Sequence, residues 1–300
     1  MSHWTFLAGV VAVSAACGGP ASGPVTAPPA ARSSRVTLTY LGVAGWSLES
    51  SAGALLVDPY VTRAPVVDEA APLDPDEAAI RAFTPARVEA ILVGHSHYDH
   101  LLDVPSIARR TGARVVGTES TANVALAAGV PPEHVLVAHG GDTFEIGPFK
   151  VRAIAALHSL TGQPNVPIPP GPVLPLPARE YGEGGTLQYL VQFEGHTIFF
   201  VGTANFIENE VRGLRPDVAV IAVGLRDKIP DYTCRLVHAL GRPALVLPNH
   251  FDALHEPLRP EHMELTDDRR ADLQAFASEV HACAPATRVE VPIQLHAIGL

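Results

Sequence analysis

Four side chains within six residues, His95, His97, Asp99 and His100 of HSHYDH, are the part of this sequence best equipped for chemistry. Imidazole nitrogens and carboxylate oxygens are the donors that zinc-like cations take. In extended backbone, residues two apart project to one side, so His95 and His97 can offer both rings to a single cation. A tight turn at Asp99-His100 then aims a carboxylate and a third imidazole at a neighbouring position. A cation held this way lowers the pKa of bound water toward about 7, which provides hydroxide at neutral pH. Asp99 can serve as a general base holding the attacking water. With His97, whose loss should abolish turnover, it forms the candidate catalytic pair. A histidine-rich tract or an expression tag is the competing origin for the motif, and its strand-to-helix setting argues against both.

That setting comes from the elements around it. Val88 to Val93 (VEAILV) is a nearly continuous apolar run, as expected of a strand buried on both faces. Strands are expected before it at Val36–Leu41, Trp46–Ser50 and Ala54–Val57, with a helix from Asp74 to Phe83. After the motif the pattern predicts a helix at Val104–Arg110, a strand at Ala113–Gly117 and a helix at Ser120–Ala128. Strands follow at Phe144–Ile146 and Phe149–Ala155, then a hairpin of Thr186–Phe193 with Thr197–Val201 across Glu194-Gly195. Val218–Val223 and Ala244–Pro248 are expected as buried strands and Asp267–His281 as a long helix. The fold class is therefore α/β (α+β), in one domain over residues 35–300.

HxHxDH after a buried strand resembles the signature of the metallo-β-lactamase superfamily. The flanking GHSHYDHLLD is most similar to the branch containing N-acyl phosphatidylethanolamine phospholipase D and L-ascorbate-6-phosphate lactonase-like proteins. The resemblance runs from about Val36 to the C-terminus and implies a four-layer αββα sandwich with the metals at one edge between two sheets. It implies that His158 completes a first metal site with His95 and His97. It likewise implies that His250, in LVLPNHFD, serves a second with Asp99 and His100. Asp58, in LLVDPY, would orient a ligating imidazole rather than bind metal, a plain turn before Pro59 being the alternative. Zinc is the implied ion, as one ion or two, with manganese or iron as alternatives. One departure stands out. FFVGTANF keeps Gly202, but Thr203 falls where the family places a carboxylate that bridges both metals. The cluster is then one charge more positive, which disfavours a second ion in a partly dry site. Thr203, Asn205 or Glu208 could compensate through an oxygen or a water.

The resemblance implies a metal-dependent hydrolase, with phosphodiester-type substrates suggested by the branch. The alternatives are a lactone or ester hydrolase, or a non-catalytic metal-binding lipoprotein. A net charge of −10, from 31 acidic against 21 basic residues, gives no electrostatic footprint for nucleic acid. The expected partner is a small-molecule or lipid-like substrate. Phe6–Ala16 is too short to span a bilayer but suits a signal peptide. Ser14-Ala15-Ala16-Cys17 resembles a lipobox, although no Lys or Arg precedes it and Ser14 stands where Leu or Val is usual. Residues 1–17 thus read as a leader and 18–34 as an Ala/Pro/Gly/Ser linker. The expected location is exported, in the cell envelope: lipid-anchored at the membrane if Cys17 is acylated, otherwise periplasmic. Cys234 and Cys283 are left either to pair or to be buried apart. The proline-crowded stretch Gln163–Pro177 can be neither helix nor central strand and is expected to wall or cover the site, or else to be an inert loop. His255 could line the pocket; His134, His139, His196, His238, His262, His281 and His296 are expected elsewhere. Gly182–Gly185 reads as a turn.

Overall fold

Side-chain alternation assigns the faces of the buried strands. Along the motif-bearing strand, Ala90 and Leu92 join one hydrophobic cluster while Ile91 and Val93 join another, and Leu55 and Leu56 in the preceding strand part in the same way. Successive residues of a strand point to opposite faces, so a run apolar at every position needs cover on both sides. The computed structural model supplies that cover. It describes residues 1–3, 35–260 and 263–300; residues 4–17 of the leader, Cys17 among them, the linker, and Glu261 and His262 lie outside the described residues.

Within the unit Ser34–Leu300, the strands in chain order are β1 Thr37–Gly42, β2 Gly45–Ser50, β3 Gly53–Val57, β4 Ala90–Leu92, β5 Arg114–Gly117, β6 Val135–Val137 and β7 Thr143–Ile146. They continue with β8 Phe149–Ala156, β9 Thr186–Phe193, β10 His196–Val201, β11 Val218–Ala222, β12 Leu245–Asn249, β13 Arg288–Val289 and β14 Ala297–Gly299. The helices are α1 Glu77–Phe83, α2 Tyr98–Leu101, α3 Val104–Thr111, α4 Glu119–Ala127, α5 Glu208–Val211, α6 Tyr232–Ala239 and α7 Asp267–Cys283. One sheet has the order β14-β1-β2-β3-β4-β5-β6 and the other β13-β12-β11-β10-β9-β8-β7. Between them lies a core that draws Trp46, Leu48 and Leu55 from the first sheet and Val151, Tyr189 and Phe199 from the second. Ile80, Ile107 and Val124 of α1, α3 and α4 cover the outer face of the first sheet. Leu236, Phe276 and Val280 of α6 and α7 cover that of the second. The result is an αββα sandwich. Among the described residues no helix is long and apolar enough to cross a membrane.

Local details differ from the sequence reading where chemistry other than periodicity decides. The central strand is only Ala90–Leu92, because the chain is already turning at Gly94 toward the motif. Helix α1 begins at Glu77 rather than Asp74, since Asp76 is its cap and accepts hydrogen bonds from the Ala78 and Ala79 N–H groups. Strands β6, β13 and β14, which are too short to carry a period, are additions. Cys234 and Cys283 are paired in a disulfide between α6 and α7, with Cα atoms 5.7 Å apart.

Candidate metal centre

Every candidate ligand sits just beyond the carboxyl end of a strand, where the sheets present loops at a common rim. His95 to His100 follow β4, His158 follows β8 and His250 follows β12. The turn after β4 winds directly into the short helix α2, so His97 ends extended backbone and Asp99 and His100 start helical backbone. That change of conformation splits the motif into two donor sets. His95, His97 and His158 form one and Asp99, His100 and His250 the other, the donor atoms within each set lying within 4.8 Å of one another. All six predicted ligands are thus brought together.

In the first set, His95 Nε2 lies 3.0 Å from His97 Nδ1 and 3.1 Å from His158 Nε2. His158 donates from Nδ1 to the Ser159 carbonyl at 2.9 Å. That fixes its tautomer and leaves Nε2 a bare lone pair aimed at the other two rings. Burial lowers the pKa of His95 well below the usual histidine value, with the neighbouring imidazoles adding to the effect. His97 falls to about 4, again chiefly through burial. Burial also lowers His158. Three neutral rings with converging lone pairs make no sense as a hydrogen-bond network. They suit a cation: a tetrahedral ion with bonds of about 2.0–2.1 Å sets its nitrogens about 3.3 Å apart. The donor set fits a zinc-like ion.

The second set is more polar. Asp99 Oδ2 is 3.6 Å from His100 Nε2 and 3.4 Å from His250 Nε2. Burial alone would raise the Asp99 pKa, but the His100 and His250 rings outweigh it and hold the carboxyl well below the usual range. Asp58, buried at the end of β3, places Oδ2 3.0 Å from His100 Nδ1 and accepts the Gly94 N–H through Oδ1 at 2.6 Å. It thus holds the ring by one nitrogen and leaves Nε2 free to face Asp99. Gly202 is what makes room for it, since a Cβ there would meet Asp58 Oδ2 at 2.6 Å. Asp58 and His250 both adopt left-handed backbone, with φ of 43° and 54°. Such residues are uncommon outside glycine and are kept where the surroundings over-determine them. His250 is pinned by its N–H to the Val43 carbonyl at 2.6 Å.

Thr203 takes no ligand position. Its buried hydroxyl accepts the Ser159 N–H at 3.0 Å and donates to Ser159 Oγ at 2.9 Å, and Asn205 Nδ2 donates to the His158 carbonyl at 2.9 Å. The segment after β10 therefore clamps the His158 loop. Glu208 is not available to the site, contrary to the sequence reading, because its carboxylate binds the guanidinium groups of Arg212 and Arg235. His255 does not line the pocket either: it sits exposed behind Tyr98 and bonds the Ala64 carbonyl. His139 and His238 bond Glu119 and the Cys283 carbonyl, away from the cluster.

A cavity of about 510 Å³ opens above both sets. Gln163, Pro164 and Val166 form part of its wall, so the proline-rich stretch is a wall rather than an inert loop. Beyond Val166 the stretch is fastened to the body by Ile168, whose N–H and carbonyl bond Ser120 and Asn123, and by Leu176, whose carbonyl accepts the Leu73 N–H. Arg179 and Gly182 line the cavity too, and the Glu183 carbonyl accepts the Ser96 N–H inside the motif. The segment read as a simple turn is a second wall.

Two supports gave no sequence signal beyond being acidic. Asp103 accepts the Val61 and Thr62 N–H groups at 2.6 and 2.8 Å, and so fixes the chain just after Asp58. Asp252, buried two residues after His250, pairs with Arg63 at 2.7 Å and accepts from Tyr40, the Val43 N–H and Gln294. It ties the His250 turn to the first sheet.

Comparison with known proteins places the chain among metal-dependent hydrolases. The family model of the beta-lactamase superfamily domain matches residues 54–266. The chain is 29% identical over 260 residues to a metal-dependent hydrolase of Desulforamulus reducens, covering 85% of this chain and 99% of that protein. It is 30% identical over 220 residues to a metal-dependent hydrolase of Pyrobaculum calidifontis, covering 72% and 84%. Among solved structures, Igni18, a metallo hydrolase from Ignicoccus hospitalis, superposes with a TM-score of 0.60 at 19% identity, covering 89% of this chain and 98% of that one. At such identity the superposition speaks for the fold alone.

Proposed function

We infer, since the chain belongs to the beta-lactamase superfamily and is one of its metal-dependent hydrolases, that it cleaves a phosphodiester-type bond at the floor of the cavity. The observation that carries this reading is the meeting of six donors from three loops beneath one opening. His95, His97 and His158 are the residues that would hold a zinc ion, or manganese or iron in its place; Asp99, His100 and His250 would hold a second, weaker one. An ion bound there supplies Lewis acidity, polarising a substrate oxygen and making water a nucleophile near neutral pH.

The remaining work falls to the protein's own groups. Asp99, held ionised, accepts a hydrogen bond from the attacking water and orients it toward the scissile bond. Asp58 keeps the His100 ring from turning. Arg179, the one cationic side chain on the cavity wall among the described residues, meets the anionic oxygens of a phosphodiester, for which a guanidinium is suited. The phospholipase D-like character of GHSHYDHLLD supports the same substrate type. An ester or lactone substrate is the second reading, favoured by the apolar part of the wall. The Cys234–Cys283 disulfide supports an exported, envelope location, where such bonds persist. With the net charge of −10 it also fits a small-molecule or lipid-like partner rather than nucleic acid.

The test is turnover by protein reconstituted with zinc, manganese or iron on phosphodiester, lactone, ester and β-lactam panels. Hydrolysis led by phosphodiesters and lost in His97→Ala is expected. No turnover on any panel, with the metal demonstrably bound, would defeat the proposal.

A further inference from the structure

The cavity is larger than a bare phosphodiester or ester group needs; at about 510 Å³ it is in the range that encloses a drug-sized molecule. The apolar side chains Val66, Val166, Leu225 and Leu254 line the same cavity as the donor cluster. Two of these side chains are left open to solvent: Leu225 is 39% and Val166 51% exposed. Each is put there by a separate, firmly held segment.

Leu225 adopts left-handed backbone, φ 64°, which strains any residue with a β-carbon. The strain is held from below. Arg226 N–H bonds the Val223 carbonyl and Lys228 N–H the Leu225 carbonyl. The buried Arg226 guanidinium is anchored on Asp272 at 2.5 Å and on Glu279 at 3.3 Å. A glycine at 225 would fold there more easily, yet leucine is present and lines the cavity. On the opposite segment, Val166 is placed by a close backbone approach. A Cβ at Gly182 would meet the Val166 carbonyl at 2.0 Å, and the Asn165 side chain accepts the Gly185 N–H. Arg179 lines the same cavity and supplies its guanidinium.

We propose that the substrate carries a straight alkyl or acyl chain next to its scissile group, and that Leu225 and Val166 form the subsite that measures it. The proposal rests on the hydrolytic reading for the identity of the reacting group, but not for the alkyl subsite itself. A chain laid against these residues covers solvent-exposed leucine and valine, and each methylene so buried is worth at most about a fourfold gain in affinity. Leu225 acts here as a specificity residue that touches the non-reacting part of the substrate.

The experiment is calorimetric binding of methyl, butyl and octyl phosphate to zinc-loaded and metal-free protein, together with turnover of the methyl and octyl 4-nitrophenyl phosphodiesters. Wild type should bind octyl phosphate at least a hundredfold more tightly than methyl phosphate. Leu225→Gly should keep or raise the Tm, because glycine accepts the left-handed backbone, while the octyl advantage shrinks at least tenfold and methyl phosphate binds as before. Val166→Ser should shrink the advantage as well. Equal binding of the three phosphates by wild type, or an octyl advantage that survives in Leu225→Gly, overturns the proposal. A chain-length-dependent affinity with neither phosphodiester cleaved would uphold the subsite and remove the phosphodiester reading; cleavage with no chain-length dependence in binding or rate would do the reverse.

Discussion

Asp58 is where the structure makes its sharpest demand on the metal centre. Replacing it with asparagine keeps the shape, so the space left by Gly202 is still filled, but one of two acceptor oxygens becomes an NH₂. The two oxygens are both engaged, one by the Gly94 N–H at 2.6 Å and one by His100 at 3.0 Å. An asparagine can satisfy only one of them. If its oxygen stays with Gly94, His100 Nδ1 faces a donor and must give up its proton, which moves to Nε2 and blocks the lone pair turned toward Asp99. A charge-assisted hydrogen bond of this kind is worth about 1.5–3 kcal/mol, or roughly ten- to a hundredfold in affinity, the same range by which partners of ligating imidazoles tune metal binding. Zinc titration of metal-free protein in competition with a chromophoric chelator resolves the two classes of site. Wild type should give two unequal affinities. Asp58→Asn should weaken only the class that includes His100 and leave the three-imidazole class within about twofold. An equal fall in both classes, or no fall in either, would refute the assignment of Asp58 to His100 alone.

Acid should weaken the metal-free protein in a defined window. Folding lowers the His97 pKa from 6.5 to about 4, so between those values the unfolded chain takes a proton that the folded chain refuses. Stability is then full above pH 6.5 and is lost as pH falls toward 4, by about 3 kcal/mol from His97 alone, with His95 and His158 shifted in the same direction. Thermal melts of chelator-treated protein at pH 7.5 and pH 5 should differ by on the order of 5 °C; a higher Tm at pH 5 would be inconsistent with buried neutral rings. Arg63→Ala should cost about 3–5 kcal/mol, because it strands the buried Asp252 carboxylate. Since Asp252 also holds Val43, which receives the His250 N–H, the same variant should lose zinc affinity at the second class of site. Loss of stability without that effect would confine Asp252 to a structural role.

What was legible beforehand was whatever depends on residues near one another in sequence. HSHYDH announces itself because its spacing alone puts donors on one side, and VEAILV announces a doubly covered strand by having no polar position. His158 and His250 were legible only by resemblance, since a histidine after a strand has no local mark that separates a ligand from a surface residue. The supports were not legible at all. Asp103 and Asp252 are ordinary acidic residues in the text; what makes them buried acceptors is the meeting of segments 41 and 209 residues apart. The role of Gly182 is likewise invisible, because it is set by the carbonyl of Val166 passing close by. Glu208 misled for the converse reason: a carboxylate near the right place in sequence is on the outer surface in space, paired with two arginines.

Thr203, which stands where the resemblance would place a bridging carboxylate, ties these observations together. A threonine hydroxyl has one proton and two lone pairs; here the proton goes to Ser159 Oγ and one lone pair to the Ser159 N–H. What remains for any ion is a single weak, neutral donor, so no anionic group faces the three-imidazole set from this side. Asp99 is then the only carboxylate among the six donors, and it is shared with His100 and His250 rather than placed between the two sets. An ion among His95, His97 and His158 would have only neutral direct ligands, with Asp99 and Glu183 acting on it from outside the set, so it would repel a second ion more than in a carboxylate-bridged pair. The protein has in exchange a rigid His158 loop, clamped by Thr203 and Asn205, whose tautomer is fixed by the Ser159 carbonyl. With threonine at 203 the centre should therefore hold one ion in the three-imidazole site and a second more weakly, and unequal zinc affinities in the titration above are the expected result.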